Sequence, residues 1–268
     1  MSNLYFPQLS SGALAQYPIQ KARIVPTVKN VMLDGNMWLC PGLSLNSHAS
    51  RMVWELSYSA LNQVDAQALQ SHFSACLGQL RAFTFIDPTD NMLVASGDVT
   101  KSSWQKGAIQ ITSGVADPQG GSQATVLTNT SQANQQIVQT LNVPANYQYC
   151  LSAYVTCTQA ATIALLRSGS AASDSTSLSV GPNWTRLVSS GRLNDPGTTL
   201  TAGIMLAPGQ QISIYGMQLE AQLQPSRYRS TGQVGGVYTN AHWATDELAL
   251  IATAPNSYST SFSIETSL

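Results

Sequence analysis

The sequence predicts a mainly β protein: a split β-sandwich or barrel domain with one helix, and a second, jelly-roll-type β-sandwich inserted into it. Three observations carry the prediction. Short runs of alternating apolar and polar residues recur along the chain, the period-two signature of half-buried strands. Only one stretch has convincing helical spacing. The texture changes near residue 98 and returns near residue 227, so residues 1–98 and 227–268 read as one discontinuous domain and residues 99–226 as the insert.

In the first segment, Val28–Leu33 and Met37–Cys40 flank Asp34-Gly35-Asn36, and an Asp-Gly step between apolar runs is a strong hairpin signal. In Val53–Leu61, Trp54, Leu56, Tyr58 and Ala60 share one face, with Glu55, Ser57 and Ser59 on the other. A helix follows, with Asp65 as its cap and Leu69, Phe73, Cys76, Leu77 and Leu80 at helical spacing. Gly78 supplies the left-handed residue that ends it. His72 lies beside the apolar stripe, where a boundary position between core and solvent is the plainer reading than a site. Arg81–Ile86 is an aromatic strand that stops at Asp87-Pro88-Thr89-Asp90-Asn91. Near the C-terminus, Leu248–Thr253 and Ser259–Glu265 form two strands joined by Ala254-Pro255-Asn256-Ser257. Two strands alone are unstable, so they complete a sheet with the first segment.

The insert reads as eight short strands separated by Gly, Pro, Asn and Ser clusters: Ala108–Thr112, Ala124–Thr128, Gln136–Leu141, Tyr147–Cys157, Thr162–Leu166, Trp184–Ser189, Leu200–Leu206 and Gln211–Leu219. This spacing suggests a sandwich or jelly roll. In Tyr147–Cys157 the odd-numbered positions point one way and Gln148, Ser152 and Thr156 the other, with Tyr154 on the polar parity. In Gln211–Leu219 the apolar parity switches around Gly216, which suggests a bulge.

The composition narrows the function. Hydrophobic residues make up 43% and charged residues 9%, against about 25% charged in ordinary soluble domains. Polarity comes instead from Ser, Thr, Gln and Asn, which suits either a permanent assembly or a β-rich chain in general. The net charge is −1 and no basic run exists, so nucleic-acid binding is not expected. No apolar run approaches the roughly 20 residues of a membrane span. Met1–Pro7 lacks the charged and apolar regions of a signal peptide, so synthesis and assembly in the cytoplasm are expected. Cys40, Cys76, Cys150 and Cys157 contain no CxxC pair. Cys150 and Cys157 are an odd number of residues apart and should face opposite sides of a strand. All four read as reduced, buried, small apolar groups.

No catalytic fingerprint appears. The three histidines are His48, His72 and His242, and no nucleophile-elbow, zinc-protease, P-loop or dinucleotide motif is present. Asp98, Asp117, Asp174, Asp195 and Glu220 are scattered, mainly in turns, where Asp usually bonds its own backbone. A glycosidase would need two facing carboxylates. The chain is therefore expected not to be an enzyme.

Two resemblances add to these readings. Tyr5-Phe6-Pro7-Gln8-Leu9 with Gln16-Tyr17-Pro18 resembles the opening of small β-rich tail proteins of siphophages and gene-transfer agents. The Trp54-Glu55-Leu56-Ser57-Tyr58 strand, the helix and Leu80–Asn91 are similar to the distal-tail-protein pattern, as is Tyr238–Ile264 with its Pro255-Asn256-Ser257-Tyr258-Ser259-Thr260. The resemblance covers about half the chain, on both sides of the insert. It implies a virion tail-tip or baseplate ring, usually hexameric, that joins the tail tube to the hub and tape-measure proteins.

The insert resembles a galactose-binding-like jelly roll of the carbohydrate-binding-module kind, through Trp104-Gln105-Lys106-Gly107, Trp184-Thr185-Arg186-Leu187 and Tyr215–Glu220. Sugar sites stack an aromatic ring on a sugar face beside amide or guanidinium groups. The available pieces are Trp104, Tyr154, Arg167, Trp184 and Arg186, although a Trp at a strand start also serves to plug the core. Such jelly rolls often hold a structural calcium between first and last strands. Asp98 and Glu220 stand near those ends, but they are only two carboxylates where about six to eight oxygens are needed. Asp34 and Gly35 at the hairpin tip, and Arg227, Tyr228 and Arg229 at the return to the first domain, are candidate assembly contacts or ordinary surface. The expectation is thus a tail-tip ring protein whose jelly roll contacts host-surface glycans. The alternative is a host-glycan-binding adhesion module without a tube-joining role.

Overall fold

The computed structural model describes residues 4–9, 20–24, 31–33, 36–38 and 51–267. In chain order the first elements are β1 (Gln20–Ile24), β2 (Val31–Leu33), β3 (Asn36–Trp38), β4 (Arg51–Leu61), α1 (Gln63–Cys76) and β5 (Phe83–Ile86). Ten strands follow: β6 (Gln105–Lys106), β7 (Ile109–Val115), β8 (Ala124–Asn129), β9 (Gln135–Leu141), β10 (Tyr149–Thr156), β11 (Ala161–Ser168), β12 (Ser173–Val180), β13 (Thr185–Gly191), β14 (Leu200–Leu206) and β15 (Gln211–Glu220). The chain closes with β16 (Val237–Trp243), β17 (Ile251–Ala254) and β18 (Ser257–Ser267). It divides into two compact units, 1–85 with 238–268, and 86–237.

The discontinuous unit is built on a sheet in the order β1-β4-β18-β16-β5, with β17 paired to β18. The C-terminal strand thus lies between β4 and β16, and its three partners, β17 included, are all antiparallel to it. Trp54, Leu56 and Tyr58 point into the core. Ala60 does not follow them: its φ is +66° and the pairing with β18 shifts register there, so Leu61 takes the buried place instead. Residues 4–6 lie parallel to β5, with Phe6 N–H donating to Thr84 O at 2.9 Å and Thr84 N–H to Leu4 O at 2.8 Å.

The helix differs from the sequence expectation at both ends. Asn62 is its cap, accepting from Asp65 N–H at 2.8 Å, while Asp65 itself lies buried in the first turn. The left-handed turn begins at Leu77 (φ +54°) and continues through Gly78 (φ +64°). Leu77 and Leu80 therefore leave the stripe and are exposed. His72 is not at a boundary but in the core, edge-on to Phe6 and Phe83. Its Nδ1 accepts from the Trp243 indole N–H at 3.3 Å. Burial lowers its pKa to about 4, so the ring is neutral.

The Asp34-Gly35 tip lies outside the described residues. The strands beside it, β2 and β3, pair antiparallel with Leu33 opposite Asn36.

The second unit is a jelly-roll-type sandwich of two five-stranded antiparallel sheets, β13-β10-β15-β8-β7 and β12-β11-β14-β9-β6. Leu151, Ala153 and Val155 of β10, Ile163 and Leu165 of β11, Ala202 and Ile204 of β14, and Ile212 and Leu219 of β15 fill the space between them. The bulge expected at Gly216 is present. Tyr154 pairs with Tyr215 and Ser152 with Gln218, so β15 has two residues where β10 has one. Gly216 takes φ +65° to make the step. The unit also takes in residues 86–98 and 227–237, which the strand pattern leaves to the split domain. Their backbone bonds run to the sandwich and to each other: Met92 N–H donates to Leu219 O at 2.8 Å and Ala95 N–H to Gly232 O at 2.7 Å.

Cys76, Cys150 and Cys157 are free and buried. Cys157 joins the sandwich core. Cys150 pairs across β10 with Glu220 of β15, and burial followed by the charge of Glu220 pushes its thiol up to about 11.

Candidate functional site

Because Leu151, Ala153 and Val155 point inward, Ser152 and Tyr154 project from the outer face of the β13-β10-β15-β8-β7 sheet. Cross-strand register then fixes their neighbours. Tyr154 stands between Arg186 of β13 and Tyr215 of β15. The Arg186 guanidinium lies 5.3 Å from the Tyr154 ring centre and donates to Ser152 Oγ at 3.0 Å. The ring centres of Tyr154 and Tyr215 are 6.1 Å apart, and Tyr228 meets Tyr215 edge-on at 5.3 Å. Tyr154, Arg186 and Tyr228 are half-buried. The Tyr215 hydroxyl has a raised pKa, chiefly through burial and then through Asp117, Tyr228 and Tyr154, with Arg227 opposing.

Of the five sugar-site candidates, the structure brings Tyr154 and Arg186 together. Trp184 is half-buried just before β13. Trp104 and Arg167 are elsewhere. Trp104 is 2% exposed, packs in the sandwich core and donates its indole N–H to Ala95 O at 3.1 Å. Arg167 is equally buried and structural, donating to Tyr149 O at 3.2 Å, Gly191 O at 2.6 Å and Asp174 Oδ2 at 2.6 Å. Neither side chain reaches a ligand-accessible face.

The return-segment residues have a different place from the one expected. Tyr228 is not in a linker but within the jelly-roll unit, its ring over Gly216 and its hydroxyl 3.1 Å from Ser96 Oγ. Arg229 N–H donates to Gln218 Oε1 at 2.8 Å. Arg227 is exposed. Strand parity carries the signal for Tyr215, which the sequence reading does not place at the site: with Ile212 and Ile214 inward, Tyr215 points outward just before the bulge.

The two calcium candidates do not meet in one site. Asp98 is held by Thr100 N–H and Oγ1 and paired with Lys101 at 3.3 Å, and the Thr100 hydroxyl leads the lowering of its pKa. Glu220 is fully buried and accepts from Gln218, Gln222 and Ser226. Glu220 is enclosed by protein donors, and Asp98 is engaged by its own turn and by Lys101. Among the described residues no group of three or more His, Cys, Asp or Glu side chains could hold a metal. Asp117 and Asp195 likewise organise turns, Asp195 accepting from Ser170, Ala171, Ala172 and Gly197. Those donors, led by the Ala171 amide, hold its pKa down to about 2.

A concave feature of the same unit is a groove of about 1050 Å³ walled by residues 94–103, 113–125 and 230–233. Its lining is mostly Ser, Thr and Gln and has no aromatic ring.

The sequence matches no protein-family model and no curated protein. Among solved structures, the chain is similar to the enzymatically active domain of tailspike protein 4 of bacteriophage CBA120, at 14% identity and a TM-score of 0.40. That match covers 51% of this chain and 22% of the tailspike. The chain is also similar to a xylan-binding family 22 module from Paenibacillus barcinonensis, at 12% identity, TM-score 0.39, and 51% and 94% coverage. A family 11 carbohydrate-binding module from Clostridium thermocellum matches at 12% identity, TM-score 0.36, and 51% and 98% coverage. Among the described residues no helix is long and apolar enough to cross a membrane.

Proposed function

We propose that this chain is a non-catalytic tail-tip protein whose jelly-roll unit binds host-surface glycans, while its discontinuous unit serves assembly into a ring between tail tube and hub. The observation that carries the glycan part is the Tyr154–Arg186 pair on the outer sheet face, extended by Tyr215. A half-buried aromatic ring beside a half-buried guanidinium is the chemistry that grips a sugar ring, by stacking on its C–H face and bonding its hydroxyls. The assembly part is supported by the resemblance carried by Trp54–Asn91 and Tyr238–Ile264. It is also supported by the 9% charge content, which leaves few ions to desolvate when subunits pack. A non-catalytic role fits the carboxylates described above, each occupied by structural donors. Such a protein would be assembled in the host cytoplasm and retained at the virion tail tip.

The test is a glycan array probed with the full chain, repeated with Tyr154→Ala and Arg186→Ala. Each variant should lose about tenfold or more in affinity for the best glycan, with unchanged unfolding. No binding at millimolar sugar, or binding indifferent to both variants, overturns the glycan part. Mass photometry tests the assembly part separately: a closed oligomer, with six copies as the first expectation, supports it, and a monomer at micromolar concentration overturns it. A monomer that binds glycans would favour the adhesion-module alternative.

A further inference from the structure

The groove walled by residues 94–103, 113–125 and 230–233 is lined mainly by residues with hydroxyl and amide side chains. Val94 and Ala95 are its only aliphatic side chains, and the rest is hydroxyl, amide, glycine backbone and one acid–base pair. That lining excludes several ligand classes. A large apolar ligand would need aromatic or large aliphatic side chains, and the groove offers only Val94 and Ala95. A phosphate or carboxylate would need an unpaired cation, and the groove's Lys101 is already paired with Asp98 at 3.3 Å. What remains is a neutral molecule with many hydroxyls.

The walls are also built before any ligand arrives. Lys106 Nζ ties the carbonyls of Val99, Thr100 and Lys101 from behind, at 3.3, 2.7 and 3.2 Å. Ala95 N–H bonds Gly232 O, and Thr231 N–H bonds Ser96 Oγ at 3.1 Å, joining the first wall to the third. On the second wall Asp117 gathers the amides of Gln119, Gly121 and Gln123 at 2.8, 3.1 and 3.0 Å. Preformed walls spare a ligand the ordering cost of loops. Ser103, one of the lining residues, has a buried hydroxyl with no protein partner, a polar group whose bonding capacity is left unused.

We infer that this groove is a second glycan site, separate from the Tyr154 face, which takes a neutral oligosaccharide by hydrogen bonds alone. It shares only the ligand class with the proposed function. With no ring to stack on, it reads hydroxyl geometry, so it should discriminate between epimeric sugars more sharply than the tyrosine face.

The experiment is isothermal titration of the full chain with neutral gluco-, manno- and galacto-hexasaccharides and with hexagalacturonate as the acidic control. Three variants are compared: Ser113→Trp, which fills the groove from exposed β7; Gln123→Ala, which removes an exposed amide without adding bulk; and Tyr154→Ala. Binding of one neutral hexasaccharide, weakened about tenfold by the first two and less than about threefold by the third, is expected. The inference is overturned if no neutral hexasaccharide binds, if hexagalacturonate binds best, or if Ser113→Trp and Gln123→Ala leave affinity unchanged. If Tyr154→Ala alone weakens binding, the tyrosine face stands and the groove falls.

Discussion

A Cβ placed on Gly216 would come within 3.0 Å of the Tyr228 ring. The two residues are coupled: the bulge needs a left-handed residue, at φ +65°, and the tyrosine needs that residue to have no side chain. Gly216→Ala should destabilise the jelly roll by about 1–2 kcal/mol from backbone strain, with more from the displaced ring. Adding Tyr228→Ala to it should recover the steric part and leave the strain. Urea unfolding of the single and double variants checks this. Additive losses would mean the ring does not rest on the glycine.

Arg167 is a structural residue, so its removal should cost stability first. Arg167→Met removes the donor to the Gly191 carbonyl and leaves the Tyr149 carbonyl with the long 3.4 Å bond from the Gln148 amide, at about 1–3 kcal/mol for a buried group left unmet. Arg167→Lys should rescue little, because one ammonium cannot reproduce the guanidinium fork that spans two carbonyls and Asp174. A variant that unfolds like the parent but loses glycan binding would return Arg167 to the binding site.

Strands with two contrasting faces were legible in the sequence, as in β4 and β10. Strand β12 was not, because Ser173, Ser175, Ser177 and Ser179 point outward at the sheet edge while Asp174, Thr176 and Leu178 are only half-buried inward. Hydropathy has no contrast to detect there. Strand β16 offers only Ala241 and Trp243 as fully buried positions. At the site, parity alone placed Tyr154 outward. Residue type misled at Trp104 and Arg167, since an aromatic ring or guanidinium looks the same whether it meets a sugar or a backbone carbonyl. The groove was invisible because its three walls come from separate stretches of chain, joined only by folding.

His72 gives the discontinuous unit a pH dependence of definite sign. Its folded pKa is about 4 against an ordinary 6.5, so the folded state binds fewer protons between those values. The neutral ring's contribution is complete above pH 6.5 and is lost as pH falls from there toward 4, by about 3 kcal/mol in all. Asp195, with its folded value near 2, acts only below its ordinary 3.8, so the two windows are separate. Urea midpoints should fall between pH 7 and pH 4.5 in the parent. His72→Gln, whose amide can still accept from Trp243, should flatten that fall. An unchanged slope in the variant would assign the pH dependence to other groups.

Asn91 supplies the last prediction, about where the jelly roll begins. Its Oδ1 accepts from Leu93 N–H and Leu219 N–H, both at 3.1 Å, and its Nδ2 donates to Met217 O and Arg229 O, also at 3.1 Å. Three of these partners lie far away in the chain, on or beside β15, so the segment before residue 99 is bonded into the sandwich. Val94 adds to this by exchanging bonds with the buried Gln139 amide. A fragment of residues 99–226 would lack Asn91, Val94 and the Ala95 carbonyl that takes the Trp104 indole. Each buried group left unmet costs about 1–3 kcal/mol, a large share of the stability of one domain. Expressed alone, residues 86–237 should therefore unfold in one cooperative step in urea, while residues 99–226 should be much weaker or unfolded. Equal midpoints for the two fragments would mean that the flanking segments contribute nothing, and would return the boundary to residues 99 and 226.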